Sequence, residues 1–260
     1  MCKNISRRLS KMEKQGKLER KLLHQHDLPK GREEMNKLTK LNNQPNLKAT
    51  FVLPKLPKVY DQGTNGDCVA NAFAYVIVLK QTTKISRLFL YALCRILDNT
   101  PLNVDSGTTI MTACTVLSQY GYCKEDAFPY SKSIQKLPSL QSFQSSQLVP
   151  TYSYQNVPQD IATIKNVLYS GKPIIFGINV YQSFMTPRVE KTGMIPMPDL
   201  KTEVCLGGHC ICMVGYNDSN STFMCANSWG DTWGFNGFFF LPYKYVSDKR
   251  LALDFTVINI

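Results

Sequence analysis

DQGTNGDCVANAFA, residues 61–74, places Gln62 six residues ahead of Cys68, with Gly63 and Gly66 between them and an apolar run behind. Val69, Ala72, Phe73, Val76 and Ile77 recur at spacings of three and four, so a buried helix is predicted to begin at or just before Cys68. A thiol at that position meets the positive end of the helix dipole and its free N–H groups, which favour thiolate over thiol. The same helix start offers a backbone N–H to an oxyanion, and the Gln62 amide, kept mobile by its two glycines, offers a second donor.

A catalytic thiol also needs a base and a residue to orient that base. The chain has three histidines, and His24 and His26 lie in a basic N-terminal segment. His209 is therefore the base candidate of the globular part, at the start of an expected strand in LGGHCICMVGY. In ANSWGDTWG, Asn227 supplies an amide oxygen for one imidazole nitrogen, and Trp229 is placed to shield that contact from water.

Around this nucleus the chain divides in two. SRLFLYALCRIL, TTIMTACTVLSQYG and DIATIKNVLYSG show helical periodicity, the last two closed by Gly121 and Gly171. KPIIFGINVYQSF, GHCICMVGYND, STFMCANSW and GFFFLPYKYV are β-branched or aromatic runs that read as antiparallel strands. The expectation is an α+β protein of two lobes, helical first and sheet-rich second, with a cleft between them.

The net charge of +11 belongs to the N-terminus: residues 1–58 carry 15 Lys and Arg against 5 Asp and Glu, and residues 59–260 carry 15 against 14. Leu9, Met12, Leu22 and Leu23 share one face of a basic helix, Met35, Leu38 and Leu41 suggest a second, and Pro45, Pro54 and Pro57 favour an extended connector. Such a segment reads as a propeptide whose connector runs along the cleft, as a tail for nucleic acid or another acidic surface, or as a passive extension. No run has the length of a membrane span, and MCKNISRRLSKMEKQ has no apolar core of a secretory signal. With nine scattered cysteines, an odd number, free thiols in a reducing, intracellular compartment are expected, with no membrane partner.

DQGTNGDCVANAFA, GGHCICMVGY and NSWGDTWGFNGFFF, in that order, resemble the three signature segments of papain-like cysteine peptidases, particularly the branch of microbial and viral members with few disulfides. The resemblance covers roughly residues 57–260 and implies the papain-like two-lobed fold, a helical N-terminal lobe and an antiparallel, barrel-like C-terminal lobe. It implies residues 51–260 as an endopeptidase domain acting on peptides or proteins; residues 1–50 match no prosegment motif of the family, and their reading as propeptide and intramolecular inhibitor rests on position and length. Carried over by position, the resemblance makes Cys68 the nucleophile, His209 its partner, Asn227 the orienting residue, Gln62 an oxyanion donor, Trp229 the covering indole and Gly107 a substrate-binding residue. It implies no cofactor and no metal, and a virion or host-cytoplasm setting in a large DNA virus.

The departures matter as well. Asn65 stands where family members usually carry a disulfide cysteine, Val69 replaces a usual Trp, and Asp67 replaces a small residue. A carboxylate beside a thiolate raises the thiol pKa unless it is solvated or paired.

Competing readings are an inactive papain-fold binding protein and an acyltransferase with a Cys–His pair; NSW argues against the second. Cys205, His209, Cys210 and Cys212 do not have zinc spacing, because His209 and the flanking Cys210 point to opposite faces of a strand. Cys94, Cys114, Cys123, Cys225 and the Phe238–Phe240 run read as core. The floor of the main specificity pocket is expected from LALDFTV, residues 251–257.

Overall fold

In the computed structural model, residues 47–131, 133–147 and 153–259 are described. The two N-terminal helices expected from the sequence fall outside them. The first element is β1 (Thr50–Val52), followed by α1 (Cys68–Gln81), α2 (Arg87–Leu97), α3 (Ile110–Tyr120) and α4 (Leu140–Gln147). Then come β2 (Ser153–Asn156), α5 (Ile161–Tyr169), β3 (Ile174–Tyr181), a 3-10 turn (Gln182–Met185) and α6 (Pro187–Thr192). The chain closes with β4 (Cys205–Asn217), β5 (Thr222–Ala226), β6 (Phe238–Pro242), α7 (Tyr243–Ser247) and β7 (Ala252–Asn259).

The helix starts follow local chemistry. Ser86, Thr109 and Asp160 each accept a hydrogen bond from the N–H three residues on, capping α2, α3 and α5. α1 differs, since Asp67 holds the N-cap position without a side-chain cap bond. Its residues Cys68 to Ile77 are buried without a break, Asn71 included, so α1 is a central helix with no solvent face over those turns.

The strands form one antiparallel sheet in the order β2-β7-β3-β4-β5-β6, with β1 on the far end of β4. The sheet stays open, because no pairing joins β2 to β6 among the described residues. β4 is its axis, and its side chains alternate between two cores. Cys210, Cys212 and Val214 enter the core built on α1, α2 and α3, whereas Ile211 and Met213 enter the core of the aromatic side. This plan is the expected two-lobed one.

Three of the expected strands end early, STFMCANSW at Ala226 among them. KPIIFGINVYQSF leaves the sheet after Tyr181, and the 3-10 turn carries Phe184 into the aromatic core. GFFFLPYKYV breaks at Pro242 and continues as α7.

The connector is also corrected from residue 47 onward. Thr50–Val52 pair with Gly215–Asn217, and the Tyr216 hydroxyl donates to the Lys48 carbonyl at 2.9 Å. Gly215 lies six residues along β4 from His209, about 20 Å at strand rise. This part of the connector lies against the far end of β4, away from the cleft. A Cβ at Gly215 would come within 2.6 Å of the Phe51 carbonyl oxygen, so glycine is what permits the contact. Residue 51, the expected start of the peptidase domain, lies within β1 (Thr50–Val52).

Candidate functional site

α1 packs directly on β4, bringing together two strand and helix positions far apart in sequence. Cys68 is the first residue of α1 and is fully buried. His209, also fully buried, lies on β4 opposite Ile178 of β3. On its other side β4 pairs with β5 only from Cys212 onward, where Ala226 is the partner. Asn227, the next residue, leaves the ladder, and its side chain meets His209 in the wedge that opens there.

The contact is direct: His209 Nε2 and Asn227 Oδ1 are 2.8 Å apart. The Asn227 oxygen also accepts the Ser228 N–H at 2.8 Å, which fixes the amide with oxygen towards the ring. An imidazole facing a carbonyl-type oxygen must donate, so Nε2 carries a proton and Nδ1 is the nitrogen left to exchange one with a thiol. Trp229 stacks on the imidazole with centroids 4.9 Å apart and planes 26° from parallel. Trp233 and Phe184 meet the Trp229 ring edge-on at 4.9 and 5.8 Å, so the stack is held from behind.

Gln62 is held, contrary to the mobility expected from its glycines. It is 1% exposed, and its N–H donates to the Ser228 carbonyl at 2.8 Å. The Ser228 hydroxyl donates to Oε1, and Nε2 donates to the Asn65 carbonyl at 2.7 Å. These contacts set which end of the amide carries the N–H donors. Gly63 instead provides the left-handed φ of 56° that turns the loop.

Gly107 lies in the loop before α3, with φ 71°. Its N–H donates to the Tyr91 hydroxyl at 3.0 Å and the residue is buried, a structural use that the sequence did not suggest. Tyr91 in turn donates to Asp105 at 2.6 Å, and Asp105 accepts the Gly66 N–H at 3.0 Å. The glycine loop is thus tied from below to the loop preceding α3.

Asp67 is fully buried beside Cys68. Its Oδ1 accepts from Asn71 Nδ2 at 2.9 Å, and Asn71 Oδ1 accepts from Arg87 at 2.9 Å. Burial pushes the Asp67 carboxyl up to about 7, against the pull of the Tyr130 hydroxyl and the Arg87 cation, with Asp105 adding to the rise. Four other thiols behave as core: burial drives Cys94, Cys212 and Cys225 well above the usual value, and Cys123 to about 12. Among the described residues no group of His, Cys, Asp and Glu could hold a metal ion.

Three comparisons bear on this geometry. A family model described as papain family cysteine protease matches residues 54–250. An uncharacterized peptidase C1-like protein of Acanthamoeba polyphaga mimivirus is 37% identical over 229 residues, spanning 82% of this chain and 73% of the relative. Xylellain, a cysteine protease from Xylella fastidiosa, superposes with TM-score 0.86 at 31% identity over 94% of this chain and 98% of its own. Digestive procathepsin L 3 of Tenebrio molitor, at 18% identity and TM-score 0.67, covers 99% of this chain and 88% of its own and shares the fold.

Proposed function

Because the chain belongs to the papain family of cysteine proteases, we propose that it cleaves peptide bonds with Cys68 as nucleophile, His209 as acid–base partner and Asn227 as orienting residue. The observation that carries the assignment is the 2.8 Å His209–Asn227 contact under the Trp229 ring, on a strand packed against the helix that Cys68 opens.

In this reading the Cys68 thiolate attacks the scissile carbonyl carbon. The oxyanion that develops takes the Cys68 N–H and the Gln62 side-chain amide, both held in place before the substrate arrives. The His209 imidazolium gives its Nδ1 proton to the departing amine, leaving a thioester on Cys68. Neutral His209 then takes a proton from water, whose oxygen attacks the thioester, and collapse releases the carboxylic acid and restores the pair. Asn227 holds the ring through both transfers, and Trp229 keeps water from that hydrogen bond.

Residues 1–46 are proposed to keep the enzyme latent. The likeness to a proform supports this, since it extends over nearly the whole chain. A setting in a virion or host cytoplasm draws support from the mimivirus relative.

The test is to incubate the chain, with and without residues 1–46, with an epoxide inhibitor of thiol peptidases and with a peptide library. Labelling at Cys68 and cleavage by the shortened chain are expected, both abolished in Cys68→Ser. If the shortened chain shows neither, the protease assignment of Cys68 is lost. Equal labelling rates for the two chains would remove latency alone.

A further inference from the structure

The buried carboxyl beside the thiol is not accounted for by that mechanism. Asp67 occupies the N-cap of α1 but does not cap it; its side chain points instead into a polar cluster beneath the helix start. On its own helix it meets Asn71, which donates to both its Oδ1 and its carbonyl oxygen at 2.9 Å. From α2 come Arg87, which also donates to Asn71, and Arg95, which lies within electrostatic reach. The loop before α3 brings Asp105, and the loop after it brings Tyr130 and Glu125. Arg87 is clamped between the Tyr130 ring at 3.6 Å and the Tyr60 ring at 4.3 Å, and its pairing with Glu125 spans 3.7 Å. Arg87 therefore serves two carboxyls, and its exchange with Asp67 passes through the neutral Asn71 amide.

We propose that Asp67 is a positioning residue for the reaction: it anchors the first turn of α1 through Asn71 and, by holding or releasing its own proton, permits or opposes a thiolate at Cys68. The inference rests on the assignment of Cys68 as nucleophile. With Asp67 protonated, Cys68 faces only the helix dipole and the imidazolium. With Asp67 ionised, a second anion sits on the residue next to the thiolate, so the neutral thiol–imidazole pair gains. The carboxyl changes state near neutrality. The nucleophile is thus strongest in mildly acidic conditions and weakens as pH rises through about 7.

The experiment compares the full-length chain with Asp67→Asn, which keeps an oxygen for Asn71 and loses the charge. Iodoacetamide labelling of Cys68 is followed by peptide mass mapping from pH 5 to pH 8. Similar rates are expected at pH 5, with the variant ~3- to 10-fold faster at pH 8. A ratio that stays constant across the range overturns the proposal and leaves the nucleophile in place, because a purely structural change does not vary with the charge of an absent group. Both chains are also tested without residues 1–46: labelling only after shortening reflects latency and moves the comparison to the shortened pair, whereas no labelling of Cys68 in any of them overturns both readings. Should Asp67→Asn fail to fold, Asn71→Ser decides. It removes a donor that favours the anion, so the fall in rate must move to higher pH, and an unmoved fall overturns the proposal.

Discussion

On the sheet side of the site, His209 is fixed by one hydrogen bond to Asn227 and by a wall of rings made of Trp229, Trp233 and Phe184. On the helix side, Cys68 stands over Asp67, Asn71, Arg87, Glu125 and Asp105, a cluster of buried and half-buried charges and amides. Packing of rings has no titratable term, so the base is held alike at every pH. A buried charge cluster does have one, which makes the nucleophile the adjustable partner.

The largest effect should ignore this difference. Cys68→Ser and His209→Ala each remove a group that the whole reaction needs, and kcat/KM on a peptide substrate is expected to fall on the order of 10,000-fold or more in both. The double variant should be no worse than the poorer single one. A roughly additive double variant would show that the two halves do not act as one unit.

Trp229→Ala tests the sheet side. The indole is 1% exposed and supports three other rings, so its loss should cost about 3–5 kcal/mol in a urea unfolding experiment. That cost should vary little between pH 5 and pH 8, because the indole takes up no proton and its pH dependence is limited to the imidazole it covers. Peptide cleavage should fall too, as water gains access to the His209–Asn227 bond. A stability loss that varies strongly with pH would break the contrast between the halves.

Much of the sheet side was legible in the chain itself. The alternation in GHCICMVGYND places His209 and Cys210 on opposite faces, and NSW sets Asn227, Ser228 and Trp229 in the order the wedge requires. The ends of β3 and β6 were less legible, since Phe184 and Tyr243 leave their strands for tertiary packing and helix formation that local pattern does not record. β1 was hidden because a strand of three residues carries almost no periodicity; it forms on contact with Gly215. On the helix side, Cys68, Gln62 and the helix start could be read from one stretch. The surroundings of Asp67 could not, because Arg87, Asp105 and Tyr130 act on it, and Glu125 on Arg87, from separate segments, and only the fold gathers them. Gln62 shows the same limit: two flanking glycines suggest motion, whereas Ser228, remote in sequence, holds the amide.

Asp67→Asn tests the helix side by stability. The folded state holds this carboxyl's proton up to about pH 7, whereas the unfolded chain releases it near pH 4. Between those values the folded protein binds more protons than the unfolded one, so wild-type stability falls as pH rises. The variant has no such term. It should match the wild type near pH 4 and exceed it by on the order of 4 kcal/mol at pH 8 in urea unfolding. Equal pH dependence in the two chains would mean that Asp67 is paired well enough to ionise at no cost.

Glu125→Gln should give the smallest effect and probe how finely the cluster is balanced. The substituted amide keeps an oxygen for the Tyr130 N–H, which now donates to Glu125 at 2.8 Å, but removes the charge that draws on Arg87. Arg87 then acts more fully on Asp67 and favours its anion. The fall in Cys68 labelling should move to lower pH by about a few tenths of a unit, with stability changed by under about 1 kcal/mol. Asp231→Asn is the matching change beside Trp229: its partner Lys58 has a side chain 89% exposed, solvent already screens the pair, and the labelling profile should not move. If both variants shift the profile equally, what Cys68 senses is the net charge of the surface; if only Glu125→Gln does, it senses the cluster beneath the helix.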